Sequence, residues 1–249
     1  MRVVAVWTIK GGVGKTAAAV NLASLSALEG QRTLLCDLDP QGAASFYFRV
    51  KAKVKGGGRK LLKRSVELQR LVRATEFENL DLLPADFSYR RLDLDLDARK
   101  EPESRLALKL APLTAEYDTV FLDCPPSVSL ASESVLRAAD ALLVPVIPTT
   151  LSLRGLAQVR SFAHKTGRRG LLVLPFLSMV DRRKTMHREA IELCAADGGF
   201  LRAAIPSASV VEKMGIHRAP LTAFAPSCEA ARAFEELWDQ LKARLGTGG

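Results

Sequence analysis

One short segment, Lys10-Gly11-Gly12-Val13-Gly14-Lys15-Thr16, constrains this chain more than any other feature of it. It follows the strand-like run Val3–Trp7 and opens an alanine-rich helical pattern, Thr16–Leu28, that stops at Gly30, a natural helix C-terminal cap. In that setting glycines let successive backbone N–H groups turn inward around an anion, and the helix N-terminus adds a favourable dipole. Lys15 then stands where a lysine reaches the β- and γ-phosphates of a nucleotide, and the Thr16 hydroxyl where a hydroxyl binds Mg²⁺. The ordinary pattern has a glycine at position 9, where this chain has Ile9. It carries a second lysine, Lys10, just before the glycines instead.

The rest of the chain alternates in the way such a loop requires. Apolar runs of strand length recur at Val3–Trp7, Thr33–Cys36, Leu80–Leu83, Thr119–Leu122, Ala141–Ile147, Gly170–Phe176 and Ala203–Ile205, with helical patterns between them. Near-continuous apolar strands separated by helices specify an α/β fold: a doubly wound, mostly parallel sheet flanked by helices on both faces. With 249 residues, 48% of them hydrophobic, the chain has material for one sizeable core, and a single domain over residues 1–249 is expected. The irregular stretch is Arg49–Arg64, a dense basic run interrupted by Gly56-Gly57-Gly58. It reads as a loop leading into a helix, because the alternation continues beyond it.

Carboxylates recur where the loop needs them. Asp37 and Asp39 end the second apolar run in Leu35-Cys36-Asp37-Leu38-Asp39-Pro40-Gln41-Gly42, and Asp123 ends a later one in Val120-Phe121-Leu122-Asp123-Cys124-Pro125-Pro126-Ser127. In a parallel sheet the C-terminal ends of the strands lie together, so both clusters face the phosphate loop. Asp123 is placed to hold Mg²⁺ through its water shell, and Asp39 to orient the attacking water. An isolated strand-end aspartate more commonly caps a helix; three beside one phosphate loop favour the chemical reading.

With these segments in place, the chain resembles the ParA/MinD family of deviant Walker A P-loop ATPases over nearly its whole length. Asn79–Ala85, Leu151–Gly155 and the stretch from Ile205-Pro206 to Pro220-Leu221 extend the likeness. The ParA branch fits best, in its short form without an N-terminal helix-turn-helix. The resemblance implies that Lys10 is the signature lysine crossing a dimer interface to the partner's nucleotide, and that Gly11 stays small so that two ATP-bound subunits can close. It implies a hydrolytic role for Asp39, supported by Asp37. It also implies a nucleotide contact along Lys10, Gly11, Gly12, Val13, Gly14, Lys15, Thr16 and Ala17, with Met179 and Pro206 at the adenine. Ala17 departs from the second threonine of many relatives and keeps only the backbone contact to the α-phosphate. Ser207-Ala208-Ser209 stands where arginine or asparagine often follows the proline, so no DNA-contacting arginine is carried over at that point.

Charge carries the remaining inference. A formal net charge of +9 favours polyanions. Arg182, Arg183, Lys184 and Arg188 cluster after the sixth run, and Lys213 and Arg218 come from a later segment expected to neighbour them. Together they suit sequence-indifferent phosphate contacts to DNA. The plain alternative for either basic run is a solvated face. The functional expectation is an ATP-dependent homodimer that binds DNA non-specifically and positions a cargo, its hydrolysis of ATP with Mg²⁺ stimulated by a ParB-like or cargo-adaptor partner. Its expected place is cytoplasmic, on the nucleoid in the ATP state.

Other classes fit less well. A MinD-like membrane-associated ATPase needs a C-terminal amphipathic helix with a basic polar face. Glu229–Leu245 is amphipathic, but carries Glu229, Glu235, Glu236 and Asp239, which favours packing on the domain. An iron–sulfur relative needs paired cysteines, whereas Cys36, Cys124, Cys194 and Cys228 are scattered as buried thiols would be. The best apolar stretch, Ala141–Leu153, is broken by Pro145 and Pro148 and cannot span a bilayer.

Overall fold

The computed structural model describes residues 1–63 and 65–246. Arg64, the end of the basic run read from the sequence, lies outside the described residues. One sheet contains β1 (Arg2–Val6), β2 (Thr33–Asp37), β3 (Arg73–Ala74), β4 (Leu80–Leu83), β5 (Thr119–Asp123), β6 (Ala141–Val146), β7 (Leu172–Val180) and β8 (Ala204–Pro206). Their order across the sheet is β3-β4-β2-β5-β1-β6-β7-β8. Every neighbouring pair is parallel except β3 against β4.

The connecting helices are α1 (Lys15–Leu28), α2 (Ala43–Tyr47), α3 (Gly57–Leu62), α4 (Leu92–Asp97), α5 (Arg105–Leu110) and α6 (Leu130–Ala138). After them come α7 (Thr150–Thr166), α8 (Thr185–Ala196), α9 (Ser209–Glu212), α10 (Met214–His217), α11 (Leu221–Phe224) and α12 (Glu229–Leu245).

Strand periodicity divides the interior in two. Side chains two apart along a strand share a face, so Val3, Ala5, Trp7, Leu34, Cys36, Val120 and Leu122 pack on one side with residues of α3 to α7. Val4, Val6, Leu35 and Phe121 point to the other side and meet α1 and α12. That burial on both faces is why the strands read as apolar runs rather than alternating ones. Alanines 18, 19, 23 and 27 let α1 lie close to the sheet, and Trp238 of α12 sits 6.0 Å from the Phe121 ring, centroid to centroid.

The apolar stripe of α12, from Phe234 through Leu237, Trp238 and Leu241 to Leu245, is buried against this face. The helix is thus packed on the domain, as its acidic outer face suggested. No helix among the described residues is long and apolar enough to cross a membrane.

Three details differ from the sequence reading. The seventh strand runs on to Val180, because a register shift between Leu177 and Val180 lets β7 keep pairing with β8. The two-residue antiparallel β3 gives too little periodicity to be seen in the sequence. Within the basic run, Gly56 at φ +93 turns the chain into α3, so the helix begins inside the run rather than after it.

Candidate phosphate-loop site

The strand order places β1 between β5 and β6, the point where the winding of the sheet reverses and a crevice opens at the strand ends. The glycine segment leaves β1 at that crevice. Gly12 and Gly14 have φ of +68° and +87°, in the left-handed region that glycine occupies without strain. A Cβ on Gly14 would also stand 2.9 Å from the Ser178 hydroxyl. That hydroxyl donates to the Val13 carbonyl at 2.9 Å, clamping the loop to the end of β7. Gly11 is different: a Cβ there would meet only Pro126 Cγ at 3.9 Å, an ordinary contact.

Lys15 opens α1 and is buried, its Nζ donating to the Lys10 carbonyl at 3.3 Å. Burial lowers the Lys15 pKa, while the carboxylates of Asp123 and Asp39 oppose that fall. Lys10 is exposed and donates to Ser152 Oγ at 3.3 Å, across to the start of α7. Thr16 and Ala17 follow in the first turn of α1, where the Ala17 carbonyl accepts from Asn21 at 2.8 Å.

Opposite the loop, Asp37 and Asp123 are register partners on β2 and β5, and both are fully buried. Asp37 Oδ2 accepts from the backbone N–H and the hydroxyl of Ser45, each at 2.7 Å. The Ser45 hydroxyl oxygen accepts in turn from the Ala85 N–H at 2.9 Å, tying the ends of β2 and β4 together through α2. Burial pushes the Asp37 carboxyl up to about 6 against the pull of the Ser45 bonds. Burial and then the charge of Asp37 raise Asp123 well above the usual carboxylate range, while the Thr16 hydroxyl and Lys15 hold it down.

Although the Thr16 hydroxyl lies near, no group meets either carboxylate oxygen of Asp123, or Oδ1 of Asp37, with full hydrogen-bond geometry, and all three are buried. A buried carboxylate left so is costly unless a cation compensates it. Thr16 and Asp123 supply only oxygen donors, which suits a hard divalent ion. The residues present therefore fit Mg²⁺.

Asp39 lies two residues past β2 and is half-buried; its Oδ1 accepts from the Gln41 N–H at 2.9 Å. The other expected groups arrive on the far strands. Met179 is the residue after Ser178, in the left-handed region at φ +56°, and Pro206 is beside it on β8 in register with Val180. The loop, Asp37, Asp39, Asp123, Met179 and Pro206 thus gather at one end of the sheet.

The basic residues do not gather as expected. Arg182, Arg183, Lys184 and Arg188 are exposed around the N-terminus of α8. Arg183 is bound to Asp181 through Nε at 2.9 Å and Nη2 at 3.0 Å, and Asp181 is held down to about 2 by that guanidinium. Arg218 turns the other way. Its Nε donates to the Phe46 carbonyl at 3.1 Å, and its guanidinium lies 4.6 Å from the centre of the Phe46 ring. Arg49 reaches the neighbouring His217 carbonyl at 3.0 Å. The Arg218 segment is therefore tied to α2 and the start of the Arg49 run, which the sequence reading kept apart from it. Lys213 is exposed between α9 and α10.

Sequence reasoning missed Ser45 and Ser178. Neither belongs to a phosphate-loop motif; the only signal is a serine two residues from a strand end or one turn after Asp37-Leu38-Asp39, too common to single out.

Comparison with known proteins falls along the same lines. The AAA domain family matches residues 1–169. The sporulation initiation inhibitor protein Soj of Bacillus subtilis is 33% identical over 196 residues, covering 77% of this chain and 78% of that protein. The chromosome partitioning protein ParA of Myxococcus xanthus is 38% identical over 159 residues. That match covers 64% of this chain and 56% of the relative, so the chain spans little more than half of that protein's length.

Among solved structures, cobyrinic acid a,c-diamide synthase of Mycobacterium smegmatis with bound ATP analogue and magnesium superposes with a TM-score of 0.81 and 28% identity. The superposition covers 100% of this chain and 97% of that one. A plasmid partition protein of Borrelia burgdorferi shares the fold, with a TM-score of 0.81, 20% identity and 98% of both chains covered.

Proposed function

Because the chain belongs to the ParA/MinD family of deviant Walker A P-loop ATPases, we propose that it is an ATP-driven switch that dimerises around ATP, holds DNA without sequence preference and positions a cargo. The observation that carries this reading is the buried Asp123, neither of its oxygens met with full hydrogen-bond geometry, beside Thr16 and Lys15 at the mouth of a glycine loop. Such a site asks for a cation and an anion together, which Mg²⁺–ATP provides.

In this reading the backbone of Gly11 to Ala17 cradles the phosphates and Lys15 neutralises the β- and γ-oxygens. Thr16 and Asp123 would hold Mg²⁺, which would offset the negative charge of the phosphates. Asp39 orients the water, and Asp37 braces the site through Ser45. Met179 and Pro206 flank the adenine. Lys10, held to Ser152 by a single exposed hydrogen bond, is free to release it for a partner's phosphates. Gly11 has room for a methyl group within its own subunit, so a demand for glycine there would come from a second copy closing on it. Dimerisation places two copies of the Arg182–Arg188 patch on one surface. Lys213 and Arg218 extend the basic character toward α2. A ParB-like or cargo-adaptor partner stimulates hydrolysis and so releases the DNA. The protein works in the cytoplasm, nucleoid-bound with ATP, as one domain over residues 1–249.

The test separates binding from turnover. Asp39→Ala is expected to bind ATP, to elute as a dimer with ATP and Mg²⁺, and to hydrolyse ATP at least about a hundredfold more slowly, since only the orientation of water is lost. A variant that stays monomeric with ATP, or that turns over at the wild-type rate, overturns the assignment.

A further inference from the structure

Beneath the catalytic segments, on the face opposite α1 and α12, the packing leaves a cavity of about 240 Å³. Its walls include Trp7, Leu61, Tyr89, Leu92, Leu106 and Val135, all buried. The Tyr89 hydroxyl is already used, donating to the Pro84 carbonyl at 3.3 Å, and the Trp7 indole N–H donates to the Ser127 carbonyl at 3.1 Å. Those walls present mainly carbon, with Ser127, Ser129, Ser132 and Ser134 on the side of α6. An apolar void is not filled by water; one of about 150 Å³ admits benzene. This one is larger and accommodates a body of roughly eight carbons.

Two groups at its edge decide what the body must carry. Asp93 is anchored at the N-terminal turn of α6, where its Oδ1 accepts from the Ala131 N–H at 2.9 Å and the helix N-terminus offsets part of its charge. Arg90 is exposed, its guanidinium 4.1 Å from the centre of the Phe87 ring, and no carboxylate pairs with it among the described residues. We propose that this cavity is a binding site for a small amphiphilic carboxylate, its apolar body in the cavity and its carboxylate on Arg90.

Position gives the site its interest. Leu38 and Pro40, on either side of Asp39, and Cys124 and Pro125, directly after Asp123, all line it. An occupant touches the neighbours of both carboxylates at once and braces two segments that nothing else in the cavity fills. The ligand assignment stands on the cavity and Arg90 and does not depend on the ATPase reading, so binding is tested without nucleotide.

The chain carries its own reporter. It has two tryptophans, and Trp238 lies in the other core cluster, so Trp238→Phe leaves Trp7 in the cavity wall as the single indole. In that background octanoate is expected to change the Trp7 emission saturably, with a midpoint below about 1 mM. Ala131→Phe, which fills the cavity from α6, is expected to weaken binding at least about tenfold; if it does not fold, Val135→Phe carries the same test. Arg90→Gln is expected to weaken octanoate about tenfold and leave 1-octanol unchanged. No saturable change up to about 10 mM octanoate, or equal binding by the filled variant, overturns the site. An equal loss for octanoate and 1-octanol in Arg90→Gln overturns the anionic head.

Discussion

The protein concentrates charge in two places that obey different physics. At the strand ends, Asp37, Asp123 and Lys15 are buried, and every one of them has a shifted pKa with burial as the leading cause. Around α8, Arg182, Arg183, Lys184 and Arg188 are exposed to water. Inside, each charge is worth what its removal from solvent costs, so single residues decide outcomes and a ligand must complete the arrangement. Outside, charges are hydrated, screened by salt and nearly interchangeable, so their effect is a sum over many. A motif fixes positions in the first setting, where geometry decides which residue must stand where; in the second only the total matters, and no position is singled out.

The largest effect expected from this contrast is at Lys15. Lys15→Ala removes the one full positive charge buried at the loop, and ATP affinity is expected to fall at least about a hundredfold by calorimetric titration. An affinity within about threefold of wild type would show the buried charge to behave like an exposed one.

A second test uses proton uptake. The Asp37 carboxyl titrates near 6 in the folded protein, above its value in an unfolded chain. The folded state therefore holds the extra proton between these values. This contribution to stability is fully present below about pH 4 and is lost as pH rises through 6. Without nucleotide or Mg²⁺, Asp37→Asn is expected to raise Tm by about 5 °C at pH 7 and to change it little at pH 4. A Tm difference independent of pH would place the cost elsewhere than in the buried charge.

The exposed patch calls for an additive response, in which each single residue counts for less. With about three phosphates neutralised per subunit, a dimer would lose about 10³-fold in DNA affinity between 50 and 200 mM salt. Replacing Arg182 and Arg183 together by Glu is expected to weaken binding to unrelated duplexes alike, with ATP binding unchanged. Binding that ignores this double change in a shift assay would move the DNA site, and the basic surface around Arg49 and Arg218 is then the place to look. Smallest of all, Asp181→Asn frees Arg183 from its ion pair. DNA binding is expected to tighten about twofold with little change in Tm, because the Arg183 end of the pair is open to solvent.

Much of this was readable in the residues. The loop, Asp37, Asp39 and Asp123 stand where the strand–helix context put them, and Leu80–Leu83 agrees with β4 to the residue. What escaped depends on long-range contact: Ser178 meets Val13 across 165 positions, and Arg218 meets Phe46 across 172. Local periodicity carries no information about such pairings. The Arg183–Asp181 pair is equally hidden, because a carboxylate two residues away signals a partner only once the turn that joins them is known.

The sheet ends on one side in β3, two exposed residues beginning with Arg73, and on the other in β8, three residues closing on Pro206. A strand edge recruits another strand through a row of unpaired amides, and proline has none to offer. With edges this short, the fold presents almost no template for intermolecular β-pairing. Copies at high local concentration can then stay individually folded instead of seeding a fibrous aggregate.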